Sequence, residues 1–401
     1  MRIFFICQRV PYPPDRGDKI ITFHEIKHFA RDHEVHVFCL ADGVGDLDNV
    51  PHLRRYAETV TAVAVSTIRQ KLRILLALLS GKSLSVAAFN ERKLHALIKR
   101  KYDELRPEII FVYSGNVAQY AEHFERTARI MQFQDLDSLK WGSYADFVRP
   151  PLKWLYQIER RRLLAYERLI ANSFAHCLVC TTQERDDFKR YIPTASISVV
   201  GNGVDLDYFC STKQSKHKGS IIFTGVMDYL PNVDAMLWFC NNVLPIVQSR
   251  IPTATLTICG SNPTASVRSL ADRQGVTVTG RVPDTRPYLD RAELSVAPLR
   301  IARGIQNKII EAMAMGLPVV ASANAWKGTV IAQGDGILVA DKPGEFANHV
   351  VRLLQDSGYR AEMSGRARAT VEANYRWAVQ LTGLDQVLST IAHAHKAVHF
   401  A

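Results

Sequence analysis

No stretch of this 401-residue chain approaches the eighteen or so consecutive apolar residues of a membrane-spanning helix. The longest candidate, ILLALLSG at 74–81, falls well short, and the apolar run after Arg2 in MRIFFICQ is too short for a signal-peptide core. These absences predict a cytoplasmic chain that is soluble or lies on a surface. Cysteine is sparse too. The seven are an odd number, scattered singly apart from Cys177 and Cys180, which predicts reduced thiols rather than a disulfide framework. That pair has no second ligand pair for zinc, and within AHCLVCTT it reads as two buried thiols. No zinc-finger spacing or RNP-like motif accompanies the basic charge, which argues against nucleic acid. The paired carboxylates of a glycoside hydrolase are missing as well.

What is present is globular. Hydrophobic residues make up 47% of the chain and charged ones 22%, and the length exceeds one comfortable core, so two domains are expected. The net charge of +11 is concentrated in residues 66–101, where Arg69, Lys71, Arg73, Lys82, Arg92, Lys93, Lys99, Arg100 and Lys101 face one acid, Glu91. Leu72, Ile74, Leu75, Leu76, Leu78 and Leu79 lie among them. Two readings stand for this run. It is an interfacial helix resting on anionic lipid, or an ordinary amphipathic helix with a solvated basic face.

Short apolar runs alternate with helix-like segments along the whole chain. Strands are predicted at 2–7, 34–40, 60–65, 109–113, 128–133, 176–181 and 197–201. The polar interval STKQSKHKGS at 211–220 has the composition of a linker. The alternation then restarts, with strands predicted at 221–225, 255–260, 276–280, 294–298, 318–322 and 336–340. The pattern is α/β: two doubly wound parallel units in tandem. Ligands of such sheets bind outside the carboxyl ends of the strands, so two facing units would line a shared cleft with those loops.

Four of these loops carry chemistry. QRVPYPPDRGDKI after the first strand is stiffened by three prolines, while Gly17 permits close approach of a ligand and Arg16 and Lys19 add charge. In VVGNGVDLDYF the third glycine of a dinucleotide fingerprint would fall at Leu206, so Asn202-Gly203 reads instead as a tight turn with positive φ. Asp135-x-Asp137 ends a strand, where an acid or hydrogen-bonding role is open beside a divalent-metal one. In GIQNKIIEAMAMGLPVV, residues 304–320, Asn307 reads as a helix N-cap preceded by the backbone N–H groups of Gly304, Ile305 and Gln306. A helix start of this kind takes phosphate. Lys308 adds a point charge, and Glu311, one turn further in, could accept from the vicinal hydroxyls of a ribose. The competing reading is an amphipathic helix whose Lys308 and Glu311 pair in solvent.

RIARGIQNK…EAMAMGLPVVAS, together with GNGVDLDYF, FTGVMDYLPN, TGRVPD and VAPL, resembles the retaining family 4 glycosyltransferases of GT-B fold. Within them the chain is most similar to the sugar transferases associated with PEP-CTERM/exosortase exopolysaccharide loci. The resemblance implies a GT-B fold, two Rossmann-like domains facing a central cleft. It implies an N-terminal acceptor-side domain over 1–205, a nucleotide-sugar domain over 206–376, and a last helix of about 377–401 returning to the first domain. It also implies a hexosyltransferase-type enzyme. The donor would be a UDP- or GDP-sugar, the acceptor a glycan or polyprenyl-linked molecule, and neither metal nor further cofactor would be needed. By the same resemblance Glu311 binds the donor ribose, the backbone at Arg281–Val282 contacts the base, and Gly17 and Gly225 belong to glycine turns near the diphosphate.

Two departures bear on the site. The first glutamate of the family's E-x7-E would stand at 303, where this chain has Arg303. The basic residues that usually follow the glycine of the FTG strand are missing, since Gly225 leads into Val226, Met227 and Asp228. Arg303 and Lys308 are therefore expected to replace them as catalytic cations, with Asp135 as the candidate acid on the acceptor side. A sugar-nucleotide epimerase of similar fold and a non-catalytic nucleotide-sugar binding protein are the alternatives.

Overall fold

A computed structural model of the chain describes residues 1–212 and 214–399. Thirteen strands fall among them: β1 Arg2–Cys7, β2 Glu34–Ala41, β3 Thr59–Ala64, β4 Ile109–Tyr113, β5 Ala128–Gln134, β6 His176–Val179, β7 Ile197–Val199, β8 Ser220–Thr224, β9 Thr255–Cys259, β10 Val276–Gly280, β11 Leu294–Ala297, β12 Val319–Ala321 and β13 Ile337–Val339. Each coincides with an apolar run in the sequence. The chain divides into two compact units, one of Met1–Gly201 with the segment from Leu381 onward, the other Asn202–Gln380.

The first unit is a seven-stranded sheet in the order β3-β2-β1-β4-β5-β6-β7, every pairing parallel. A parallel sheet must be covered on both faces, which is why its central strands are apolar throughout rather than alternating. In β1, Phe5 stacks on Phe111 at 5.1 Å under Phe29 of the helix Gly17–Phe29. Its neighbour Phe4 points the other way, against Phe38 at 4.8 Å. Cys177 and Cys180 are both buried and unbridged.

The second unit is a six-stranded parallel sheet in the order β10-β9-β8-β11-β12-β13. Its core takes β8 whole, with Ile221, Ile222 and Phe223 fully buried, and the helix Pro343–Gln355, whose Phe346 meets Phe239 at 5.9 Å. The helix Trp377–His399 begins in this unit, and its residues from Leu381 belong to the first. Residues 400 and 401, to which that helix was expected to run, lie outside the described residues, as does Lys213.

Two expectations about the connection between the units are corrected. The 211–220 segment has the composition of a linker but is fastened to the second sheet. Ser211 and Thr212 donate to Asp290, the Lys216 ammonium donates to the Ala292 carbonyl at 2.7 Å, and Gly219 N–H donates to Glu293 at 2.7 Å. Ser211, Thr212 and Lys216 serve there as hydrogen-bonding partners, so composition misread them. The Asn202-Gly203 pair does not turn with positive φ either. Gly203 is needed for proximity, because a Cβ there would lie 2.8 Å from the Trp377 Cα.

Candidate active site

In each sheet the strand order reverses once, and loops diverge at that point to leave a crevice. In the second unit the reversal lies between β8 and β11. Gly225 follows β8, and the loop after β11 leads to the helix Asn307–Ala314. The Lys308 ammonium reaches back from that helix to the end of β8. It donates to Asn232 Oδ1 at 2.5 Å and sits 4.1 Å from the centre of the Phe223 ring. Asn232 is itself held by donation from its Nδ2 to the Val226 carbonyl at 2.8 Å. A side chain on Gly225 would destroy this arrangement, since its Cβ would lie 2.7 Å from Asn232 Nδ2 and 3.1 Å from Lys308 Nζ. Glycine also recurs after β9, where a Cβ on Gly260 would lie 1.6 Å from the Gly225 carbonyl oxygen. The glycines thus keep the floor of the crevice to bare backbone.

Burial pushes the Lys308 pKa down to about 7 and that of Glu311, one turn away, up to about 7, with each charge partly offsetting the effect on the other. Both side chains are half-buried, and Lys308 donates to Asn232, where the competing reading has it pairing with Glu311 in solvent. The site stores a carboxyl and an amine near their switching points, each ready to ionise against a ligand of opposite or hydrogen-bonding character.

The approach to the helix is glycine-shaped. Gly304 has φ +62, a left-handed conformation that favours glycine, and its carbonyl lies where a Cβ on Gly328 would be, at 2.0 Å. Ile305 packs against the core, and the Gln306 amide donates to the Arg303 carbonyl at 3.0 Å, which closes the loop on itself. The N-cap expectation is corrected: Gln306 occupies that position without a side-chain bond, and Asn307 is the first helical residue. The Asn307 side chain is engaged elsewhere, accepting from Asn202 Nδ2 at 3.2 Å. Asn307 faces the buried Asn202 amide, a long-range contact that local capping rules do not register. Arg303 is half-buried beside Gly304.

Other expected residues lie apart. Arg281 is exposed and Val282 packs at the core edge, both just after β10. That strand is two positions from β8 in the sheet, about 10 Å at ordinary strand spacing, so they stand off the Lys308 group. Asn232 and Phe223 join the site only through the fold, and nothing local in the sequence marks them. Asn232 lies within the conspicuous FTGVMDYLPN run, but only its distance to Lys308 gives it a role.

The first unit's reversal lies between β1 and β4. Gln8, after β1, accepts from the Ser114 hydroxyl after β4 at 3.2 Å, and Ser114 has φ +83. Gly17 opens the Gly17–Phe29 helix at this edge. The neighbouring charges are already matched: Arg9 bridges Asp18 and Asp42, Arg16 pairs with Asp18 at 2.8 Å, and Lys19 with Asp46 at 3.0 Å. At the end of β5, Gln134 takes φ +66, a costly conformation for a non-glycine residue, and Asp135 follows it. Lys140 lies 3.3 Å from Asp135 and 2.7 Å from Asp137. Beneath them burial raises the Glu167 carboxyl to about 8, where it accepts from the Ser138 N–H at 3.1 Å.

Two parallel doubly wound sheets in tandem make this a two-domain α/β protein of GT-B fold. Residues 218–356 match the family model described as "Glycosyl transferases group 1", and residues 24–203 the model described as "Glycosyl transferase 4-like domain". The chain's two domains are those of a family 4-like glycosyltransferase. Among solved structures it is similar to sucrose-phosphate synthase from Thermosynechococcus elongatus, with TM-score 0.73 and 17% identity over 98% of this chain and 100% of that one. It is also similar to HepE of Anabaena in complex with UDP-glucose, with TM-score 0.69 and 14% identity over 97% and 100%. A curated relative, described as an uncharacterized 44.6 kDa protein in the cps region of Klebsiella pneumoniae, is 21% identical over 93% of this chain and 96% of its own length.

Proposed function

We propose that this glycosyltransferase moves a hexose from a UDP- or GDP-sugar to a glycan or polyprenyl-linked acceptor, with retention of configuration, in exopolysaccharide synthesis. The observation that carries the reading is the half-buried Lys308 ammonium, held by Asn232 over the bare backbone of Gly225 with Glu311 one turn behind it. An amine whose charge is suppressed by burial gains most from an anion that restores it. A diphosphate beside Gly225 and the 304–307 backbone would do so, and Glu311 as carboxylate would accept from two ribose hydroxyls. The base would extend toward Arg281 and Val282. Support also comes from the resemblance to exopolysaccharide sugar transferases, from HepE, whose structure contains UDP-glucose, and from the cps-region relative.

The chemistry proposed for this chain is stabilisation of the leaving group. Negative charge grows on the departing diphosphate as the glycosidic bond breaks, and preorganised N–H groups with Lys308 and Arg303 lower that barrier. Asp135 serves the acceptor hydroxyl on the first unit, where Gly17 leaves the loop after β1 open to close approach of substrate. The working place of such an enzyme is the cytoplasm, with lipid-linked acceptors presented at the inner membrane face.

The test is incubation with a panel of UDP- and GDP-sugars followed by product analysis. Transfer to an acceptor or slow donor hydrolysis supports the reading. An epimerised donor, or binding with no turnover, would replace it with one of the two alternatives.

A further inference from the structure

Residues 66–101 fold as three helices, Thr67–Ser80, Leu84–Ala88 and Arg92–Leu105, and the first is built inside out. At 3.6 residues per turn, Ile68, Leu72, Leu75 and Leu79 fall within an arc of about 60°. That stripe faces away from the protein: the four are 82%, 56%, 55% and 80% exposed, and Leu76 beside them is 56% exposed. The opposite side is the one packed inward. There Ala77 is buried and Arg73 turns in to pair with Glu91 at 2.8 Å.

The helix is fastened in this orientation by hydrogen bonds. Arg162, from the helix Leu152–Ser173, donates to the carbonyls of Ala77, Leu78 and Lys82, closing its C-terminal end. One turn away on the same helix, buried Glu159 accepts from the Ser83 hydroxyl at 2.7 Å and from the N–H groups of Leu84 and Ser85. On the helix that supplies these contacts, Ile158 and Trp154 are exposed as well. Arg69, Lys71 and Lys82 are exposed around the leucines, and no acid occurs between Glu58 and Glu91.

We propose that this plate is a docking surface for an anionic lipid bilayer, with Ile68, Leu72, Leu75 and Leu79 entering the acyl boundary and Arg69, Lys71 and Lys82 meeting the headgroups. The charge selects the occupant. A leucine stripe alone would suit a second copy of the chain, but cations with no acid among them repel their own image and attract a negative surface. Fixing the helix beforehand removes the cost of folding it on the membrane.

The experiment is flotation of the full chain with vesicles of phosphatidylcholine containing phosphatidylglycerol, and with pure phosphatidylcholine. Binding to the anionic vesicles that falls with added salt is expected. The combined substitution Leu72→Glu, Leu75→Glu and Leu79→Glu should reduce it at least tenfold. Arg69→Glu with Lys71→Glu should remove the preference for anionic lipid. Reversal of Arg73 is avoided, because it would break the inward pair with Glu91. Trp154→Phe should diminish the blue shift of tryptophan emission on vesicle binding. No flotation with anionic vesicles, or equal flotation with neutral ones, overturns the proposal. So does a dimer in sedimentation that the leucine substitutions abolish, which would give the face to a second copy. Nucleotide affinity should be the same in all these variants, so a failure of the transferase reading leaves this result untouched, and the reverse holds too.

Discussion

The helices Asn307–Ala314 and Thr67–Ser80 depart from the usual division of apolar inside and charged outside in opposite senses. The first has Ile309, Ile310 and Met313 in the core and keeps Lys308 and Glu311 half-buried beside them. The second turns one arginine inward and leaves its leucines outside. The helix Arg92–Leu105 shows the ordinary case in the same basic run, burying Leu94 and Ile98 and putting Arg92, Lys93, Lys99 and Arg100 in solvent. Hydrophobic burial explains the ordinary helix. The other two depart from it, one by partly desolvating an amine and a carboxyl and the other by leaving apolar surface in water, and such departures mark candidate places for a ligand or a surface.

The comparison breaks most visibly if the wrong residues carry stability. Ile309→Ala removes a fully buried side chain beside the site and should destabilise the protein by about 2–5 kcal/mol. Denaturant melts check it, and a loss below 1 kcal/mol would mean that the helix is loosely packed.

Glu311→Ala should lower affinity for the donor nucleotide about tenfold or more, since a hydrogen bond to a charged group is worth roughly 1.5–3 kcal/mol. Titration calorimetry on the folded variant decides it, and unchanged affinity removes Glu311 from the site. Arg303→Glu recreates the family's E-x7-E at the cost of a carboxylate facing phosphate. Its sugar-transfer rate should drop by about tenfold, and wild-type turnover would show that Arg303 does not carry the diphosphate.

Proton linkage sharpens the picture of Lys308 and Glu311. Nucleotide-sugar binding uses Glu311 as carboxylate and Lys308 as ammonium, and both titrate at about 7 in the free protein. Affinity should therefore fall below pH 7, where Glu311 must first lose a proton, and fall again above pH 7, where Lys308 must gain one. The two limbs report the pair jointly. Glu311→Gln should flatten the acid limb and Lys308→Met the alkaline one. A profile flat from pH 6 to 8 in the wild type would show that neither group changes ionisation on binding.

The smallest effect is expected on the exposed stripe. Leu75→Gln should change stability by no more than about 0.5 kcal/mol, because the side chain already lies in water. A larger loss in thermal melts would mean that Leu75 packs against the protein and that the helix is not inside out.

Much of this was legible in the sequence for a local reason. Strands such as IIFVY and helix stops such as Gly316, with φ +71, depend on side-chain hydrophobicity and backbone sterics within a few residues. All thirteen strands could be placed that way, and so could the glycine-shaped approach to Lys308. The strand orders, with their reversals at β1/β4 and β8/β11, come from long-range pairing that no local period records. Asn232 meets Lys308 across 76 residues, and Asn202 meets Asn307 across 105. The direction of the leucine stripe is of the same kind. The spacing of Ile68, Leu72, Leu75 and Leu79 put them on one side of a helix, but only the contacts of Arg73, Arg162 and Glu159 decided that this side faces out.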